Sequence, residues 1–175
     1  YKTIKSLLQM KTFIIAALSA DGFIAKNSLH TPLEWTNKED KKFFIKMTKK
    51  AGVVVMGQNT YETIRKPLTG RLNIIYSREK TYEGVEVTQK PPAELLKDLE
   101  KREYHEVAIC GGATIYTMFM EAGLVDKLYL TIEPVLFGKG MNLFNKELDA
   151  QLKLVSTQRI GEQTILLEYD VINDR

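Results

Sequence analysis

The chain has 175 residues, 44% hydrophobic and 27% charged, which is the composition of one globular domain and excludes a disordered or fibrous protein. Its net charge of +3 comes from interspersed basic residues, which disfavours nucleic-acid binding, although a basic rim suits a small anionic ligand. The longest apolar run, FIIAAL, is too short to span a membrane, and the single cysteine, Cys110, excludes an internal disulfide and fits the cytoplasm.

The first nine residues, YKTIKSLLQ, precede a methionine at position 10. We expect Met10 to be the natural start, with residues 1–9 as a leader or added segment and one domain over residues 10–175. The two histidines, His30 and His105, lie far apart, and neither has a partner at ligand spacing. We therefore predict no metal site.

Apolar runs and helical patterns alternate along the chain. We predict strands over residues 12–19, 52–57, 72–77, 85–89, 106–112 and 127–136, and a closing hairpin over residues 153–172. We predict a long helix from about Asn37, a short one over 60–64, and two more over 92–102 and 113–123. This alternation predicts a single α/β domain: a mostly parallel central sheet with helices on both faces and a C-terminal antiparallel hairpin.

The stretch PLEWTNKEDKKFF places acidic and aromatic residues together at a helix start. Thr36 or Asn37 can cap this helix, which puts Glu39 and Asp40 in the first turn, where the helix dipole favours acids. One face of the helix carries an apolar stripe, and Asp40 lies near its middle, whereas Glu39 lies at its edge. The stripe comprises Phe43, Phe44, Met47 and Ala51. Two interpretations stay open: both acids only stabilise the helix start, or Asp40 binds a ligand.

Two strands run through glycine directly into a helix. In ICGGATIY, Gly111 and Gly112 precede the helix, and in VVMGQNTYETI, Gly57 ends a strand and Asn59 or Thr60 can cap the next helix. Glycine lets the backbone approach a phosphate closely, and a helix N-terminus offers unpaired N–H groups. Each junction can also be a tight turn, because the G-x-G-x-x-G spacing is absent. Together they suggest a ligand with two phosphate groups, such as a dinucleotide.

A third strand ends with Ser77 and Arg78, a hydroxyl and a cation. Such a pair can hold an additional phosphate monoester, which favours NADPH over NADH. The pair can equally be structurally neutral at an exposed strand end.

Six segments from Met10 onward follow one another at compatible spacing: IAALSADGFIA, PLEWTNKEDKKFF, VVVMGQNTYETI, KPLTGRLNIIYSR, ICGGATIY and LYLTIEP. In this order they resemble the dihydrofolate reductase family. The resemblance implies reduction of 7,8-dihydrofolate to tetrahydrofolate by hydride transfer from NADPH to the pterin, whose N5 gains a proton. It implies that Asp40 is the catalytic acid that binds the pterin, that Thr131 supports it, and that Arg71 holds the glutamate α-carboxylate of folate.

The same resemblance implies the remaining site residues. The implied substrate-binding residues are Ala16, Ala17, Trp35, Phe44, Ile64, Leu68, Cys110 and Tyr116. The implied cofactor contacts are Ala17, Ile24, Gly57, Gln58, Asn59, Thr60, Ser77, Arg78, Gly111, Gly112, Ala113 and Thr114. Gln58 departs from the family pattern, which often has a cofactor-binding cation at this position.

Two other functions stay open. The segments LSADGFIA and AGLVDKLYLTIEPVLFGKGMNLF also resemble the reductase domain of riboflavin biosynthesis, which shares the fold and reduces a ribosylaminopyrimidine phosphate with NADPH. The third reading is a nucleotide-binding protein that kept the fold and lost the chemistry. The sequence is compatible with a monomer or a homodimer.

Overall fold

The computed structural model describes residues 10–172, so the expected leader over residues 1–9 lies outside the described residues. Ten strands and five helices occur within this described part of the chain. The strands are β1 Lys11–Ser19, β2 Phe23–Ala25, β3 Val53–Gly57, β4 Leu72–Tyr76, β5 Glu86–Thr88, β6 Glu106–Ile109, β7 Lys127–Glu133, β8 Met141–Asn142, β9 Gln151–Ile160 and β10 Thr164–Ile172. The helices are α1 Pro32–Trp35, α2 Lys38–Ala51, α3 Gln58–Ile64, α4 Pro92–Lys101 and α5 Ala113–Glu121.

Eight strands form one sheet in the order β5-β4-β3-β6-β1-β7-β10-β9, and β2 pairs with β8 in a small second sheet. In this order, the first six strands, β5-β4-β3-β6-β1-β7, are parallel to their neighbours, whereas β10 runs antiparallel to both β7 and β9. The predicted fold is therefore confirmed, including the C-terminal antiparallel hairpin. Because the parallel strands share one direction, the carboxyl ends of β1, β3, β4, β6 and β7 meet at one edge, which we call the carboxyl edge.

Helices cover both faces of the sheet, which explains why the central strands are continuous apolar runs. On one face, side chains such as Ile14 and Ile109 pack against α4 and α5. On the opposite face, Phe13 and Val54 pack against residues of α2 and α3. Within residues 10–172, no helix is both long and apolar enough to cross a membrane.

Several boundaries differ from the sequence predictions for local reasons. Pro32 begins the short helix α1, in a segment for which we predicted no helix. Strand β6 ends at Ile109, before its predicted end, and Gly111 then adopts a φ of 114°, which a regular strand cannot contain. Strand β7 ends at Glu133, directly before Pro134, because proline lacks the N–H that the ladder needs.

Candidate active site

Asp40 lies in the first turn of α2, where its backbone N–H donates to the side-chain oxygen of Asn37 at 2.8 Å. Asn37 rather than Thr36 is therefore the N-cap. The Asp40 carboxylate accepts a hydrogen bond from the Thr131 hydroxyl of β7 at 2.5 Å, and the residue is only 8% exposed. The acid is thus a buried carboxylate at the carboxyl edge and not a surface decoration of the helix.

Burial raises the pKa of the Asp40 carboxyl, because the ionised form loses its hydration. Hydrogen bonding to Thr131 and Thr36 and the positive charge of Lys41 lower the pKa without cancelling this effect. A ligand that donates N–H groups would restore part of the hydrogen bonding lost on burial. The carboxylate is therefore suited to bind a ring with adjacent N–H donors.

A second buried carboxylate, which we did not predict, lies at the end of β7. Glu133 is 2% exposed and accepts hydrogen bonds from the Asn37 backbone N–H at 3.3 Å and the Thr164 hydroxyl at 3.2 Å. Burial is the main cause that raises its pKa, and the charge of Asp40 raises it further. Strand alternation places Glu133 on the same face as Thr131, and this period of two is the sequence signal that could have revealed it.

The Arg71 guanidinium is held by neutral partners near the far end of α2. Its Nη1 donates to the Thr48 hydroxyl at 2.7 Å, and its Nε donates to the Thr69 carbonyl at 3.0 Å. No carboxylate among residues 10–172 forms an ion pair with Arg71. The guanidinium is therefore oriented and has charge to offer an anionic ligand. Sequence reasoning missed Thr48, because only the fold brings it to Arg71.

Four of the residues expected to line the substrate site share one core. They are partly buried on the sheet face covered by α2 and α3: Phe44, Ile64, Leu68 and Cys110. Burial raises the pKa of the Cys110 thiol far above its ordinary value, so this cysteine is not a ready nucleophile. Its role is that of a small packed side chain.

Gly111 and Gly112 follow β6, are joined by a cis peptide bond, and lead directly into α5. A Cβ atom on Gly111 would lie 3.2 Å from the Tyr116 hydroxyl oxygen, so only glycine fits this backbone without displacing its neighbour. The Tyr116 hydroxyl is fixed by donating to the Ile15 carbonyl at 2.9 Å. The Gly57 N–H donates to the Gly111 carbonyl at 2.8 Å, so the two predicted glycine junctions are in direct contact.

Gly57 is the N-cap residue of α3, and no side chain caps this helix. The expectation that Asn59 or Thr60 caps it is wrong, because the helix already begins at Gln58 and both residues lie inside its first turn. The first backbone N–H groups of α3 therefore have no side-chain cap.

Ser77 is buried at the end of β4, and its hydroxyl donates to the Gln58 side-chain oxygen at 2.9 Å. The same hydroxyl oxygen accepts from the Lys80 backbone N–H at 3.1 Å. The next residue, Arg78, is exposed. The hydroxyl is thus engaged within the protein, and Arg78 is the member of the predicted pair that can meet an anion directly.

The remaining predicted site residues lie around the carboxyl edge. Ala17 of β1 pairs in register with Thr131, which places Ala16 and Ala17 beside the Asp40 contact. Trp35 stacks on His30 and meets the edge of Phe137, and its buried indole N–H has no hydrogen-bond partner among the described residues. The others are Ile24 in β2, and Ala113 and Thr114 at the start of α5, which has no side-chain cap.

Two surface grooves flank α3, with volumes of about 920 and 650 Å³. The smaller one includes Glu34, Asn59 and Arg65, but neither groove is lined by Asp40 or Gly111. The candidate site is therefore defined by its side chains and not by either groove. Among residues 10–172, no group of three or more His, Cys, Asp or Glu side chains could hold a metal ion.

The chain matches the family model described as dihydrofolate reductase over residues 11–164. Dihydrofolate reductase type 3 of Salmonella typhimurium is 37% identical over 122 residues, which cover 67% of this chain and 68% of that protein. The chain belongs to the dihydrofolate reductase family.

Solved structures agree on the fold. Dihydrofolate reductase from Enterococcus faecalis, complexed with NADP(H) and RAB-propyl, has a TM-score of 0.74 at 26% identity and covers 94% of this chain and 98% of that one. The diaminohydroxyphosphoribosylaminopyrimidine deaminase/5-amino-6-(5-phosphoribosylamino)uracil reductase of Thermotoga maritima has a TM-score of 0.77 at 17% identity. It covers 93% of this chain and 57% of that one, and at this identity the likeness concerns the fold alone.

Proposed function

We propose that the protein is a dihydrofolate reductase that uses NADPH to reduce 7,8-dihydrofolate to 5,6,7,8-tetrahydrofolate. The observation that carries this proposal is a pair of anchors along α2: the Asp40 carboxylate, and the Arg71 guanidinium that Thr48 orients. Asp40 lies at the start of the helix, and Thr48, which orients Arg71, lies eight residues later, roughly 12 Å along the axis. An elongated substrate with an N–H-donating ring at one end and a carboxylate at the other fits these two anchors.

The chemical role of Asp40 follows from its surroundings. Its two carboxylate oxygens can accept the amino group and an adjacent ring N–H of a pterin, which fixes the ring in one orientation. Its negative charge favours a proton on the pterin N5, because burial weakens the screening of that charge. Thr131 keeps the carboxylate in place through its hydroxyl. In this proposal the protein supplies orientation and an electrostatic field, and no nucleophile is needed.

The glycine-containing junctions before α3 and α5 suit a dinucleotide. The starts of α3 and α5 have no side-chain caps, Gly111 has a φ of 114° that favours glycine, and Arg78 is exposed beside β4. The family includes the Enterococcus enzyme complexed with NADP(H), which supports the same choice of cofactor. When bound, the nicotinamide supplies the hydride for the pterin C6.

A riboflavin-type reductase is the second candidate. The LSADGFIA and AGLVDKLYLTIEPVLFGKGMNLF segments favour it, and the Thermotoga protein has the same fold. A ribosylaminopyrimidine phosphate carries a phosphate and no glutamate tail. Arg71, together with the spacing of Trp35, Asp40 and Phe44, favours folate over this substrate.

Steady-state kinetics with both substrates separates these functions. We expect NADPH oxidation with dihydrofolate and none with the ribosylaminopyrimidine phosphate under the same conditions. The reverse result would establish the riboflavin-type reaction. Absence of turnover with either substrate, together with NADPH binding, would identify a nucleotide-binding protein without this chemistry.

A further inference from the structure

Glu133 has no part in the reaction proposed above, although a buried carboxylate is costly unless it is hydrogen-bonded. It lies on β7 two residues after Thr131, and its two oxygens reach α2 and β10. A residue that is 2% exposed in this setting does not serve solubility. Its partners must therefore explain why an acid occupies the position.

The hydrogen bonds around Glu133 assign each group as donor or acceptor. The Asp40 N–H needs an acceptor, so Asn37 presents its side-chain oxygen to Asp40 and its amide NH₂ to the Thr164 hydroxyl oxygen. The single hydroxyl proton of Thr164 is then left for Glu133, which also accepts the Asn37 backbone N–H. A glutamate carboxylate, which only accepts, satisfies both donors at once.

We propose that Glu133 is a positioning residue that, through Asn37 and Thr164, fixes the first turn of α2 and thereby the place of Asp40 in the substrate site. Its kinetic consequences rest on the proposed function. Thr164 begins β10, so the C-terminal hairpin takes part in placing the acid. The turn of that hairpin packs closely on α2, since a Cβ atom on Gly161 would lie 2.8 Å from the Glu39 side chain.

The two carboxylates also interact through their charges. Among the described residues, the charged groups that act on Glu133 are Asp40 and Lys41 of α2, while β10 contributes the neutral Thr164. The negative charge of Asp40 raises the pKa of Glu133, whereas Lys41 lowers it. Removal of the Asp40 charge should therefore lower the pKa of Glu133.

The test uses Glu133→Gln, which keeps the shape, removes the charge and turns an NH₂ toward one of the two donors. For Glu133→Gln, we expect kcat/KM for dihydrofolate to fall about tenfold with the NADPH dissociation constant unchanged, as for a displaced catalytic group. In ligand-free Asp40→Asn, we expect the NMR titration of the Glu133 carboxyl carbon to move to lower pH, because the charge that raises its pKa is gone. Glu168→Gln is the matched control, because Glu168 pairs with Lys127 instead.

A second pair of variants tests the hydrogen-bond chain without changing a charge. Thr164→Val should lower kcat/KM for dihydrofolate by about the same factor, and Thr164→Ser, which keeps the hydroxyl, should restore it. Because Thr164 is completely buried, thermal midpoints are measured to show that both variants fold. If Glu133→Gln does not fold, these two variants still test the hydrogen-bond chain.

An unchanged Glu133 titration in folded Asp40→Asn, or a Thr164→Ser variant as impaired as Thr164→Val, would overturn the inference. Failure of the proposed function looks different: the wild-type protein would not turn over dihydrofolate. The ligand-free titration of Glu133 would still decide whether the two carboxylates interact.

Discussion

The first turns of α2 and α3 both lie at the carboxyl edge of the sheet, but they are held in different ways. At α2, Asn37 caps the helix, and two buried carboxylates, Asp40 and Glu133, are tied to β7 and β10 by hydroxyl groups. At α3, Gly57 provides no side-chain cap, and the neighbouring Arg78 is exposed. At the proposed substrate end, the polar side chains are held by hydrogen bonds within the protein. At the proposed cofactor end, the first N–H groups of α3 and the Arg78 guanidinium can instead bind a ligand.

This difference predicts different consequences of mutation. A substitution in a buried polar network changes both its hydrogen bonds and the cost of burying a charge, so it should alter both catalysis and stability. An exposed cation makes few contacts within the protein, so its removal should affect ligand binding and little else. The variants below test this contrast.

The largest effect is expected from Asp40→Asn. An amide offers one acceptor oxygen and a donor NH₂ in place of two acceptor oxygens, and it brings no charge to favour protonation at N5. Turnover of dihydrofolate should fall by about two orders of magnitude or more, with NADPH binding little changed. Steady-state rates and the NADPH dissociation constant measure this. Glu39→Gln is the control, and an equal rate loss there would show that the wrong acid was chosen.

The stability of the same variant should move in the other direction. Because burial raises the pKa of Asp40, the folded state binds its proton more tightly than the unfolded chain does. The contribution of Asp40 to stability is therefore full at acidic pH and is lost as pH rises from the unfolded pKa through the folded one. Near neutral pH, Asp40→Asn should be at least as stable as the wild type. A clearly lower thermal midpoint at pH 7 would assign Asp40 a mainly structural role.

Arg71→Leu should raise the KM for dihydrofolate by about tenfold or more, since a charge-assisted bond to the tail carboxylate is lost. NADPH affinity should be nearly intact. Arg159→Leu, which removes an exposed arginine of β9, is the matched control. If a pteridine substrate without a glutamate tail suffered as strongly as dihydrofolate, Arg71 would not be holding the tail.

At the cofactor end, Arg78→Ala should weaken NADPH binding about tenfold and leave NADH binding nearly unchanged, because only NADPH carries the 2′-phosphate. Lys80→Ala provides the comparison, since the Lys80 ammonium already pairs with Glu62 at 2.6 Å. Dissociation constants for both cofactors check this, and equal losses for NADPH and NADH would reject the assignment of Arg78.

The contrast between the two ends also explains what the sequence could reveal. The burial of Asp40 could be predicted because an acid interrupts an apolar helical stripe, and the parallel sheet could be predicted because its strands are continuous apolar runs. Glu133 was missed because an acid directly before Pro134 looks like an exposed strand end. Its partner Thr164 lies 31 residues away in sequence, and only the sheet brings the two together.

At α3, residue preferences gave the wrong cap. Asn and Thr are favoured N-cap residues, which pointed to Asn59 or Thr60, but Gly57 takes the position. The Gly57 N–H donates to the Gly111 carbonyl, a contact between β3 and the segment after β6 that spacing along the chain does not encode. Preferences describe an isolated helix, whereas at this helix start the backbone is held by that neighbouring segment.

The smallest effect is expected from Thr48→Val, which tests whether the substrate end is organised beyond its charged groups. The Thr48 hydroxyl donates to the Phe44 carbonyl at 2.7 Å and accepts from Arg71 at the same distance, so valine frees the guanidinium without removing it. Loss of one hydrogen bond should raise the KM for dihydrofolate by about two- to tenfold, with kcat and NADPH affinity unchanged. Thr48→Ser, which keeps the hydroxyl, should return the KM to the wild-type value. A Thr48→Val variant with an unaltered KM would mean that the bound ligand, and not Thr48, orients Arg71. The cations at both ends of the site would then depend on the ligand for their final position.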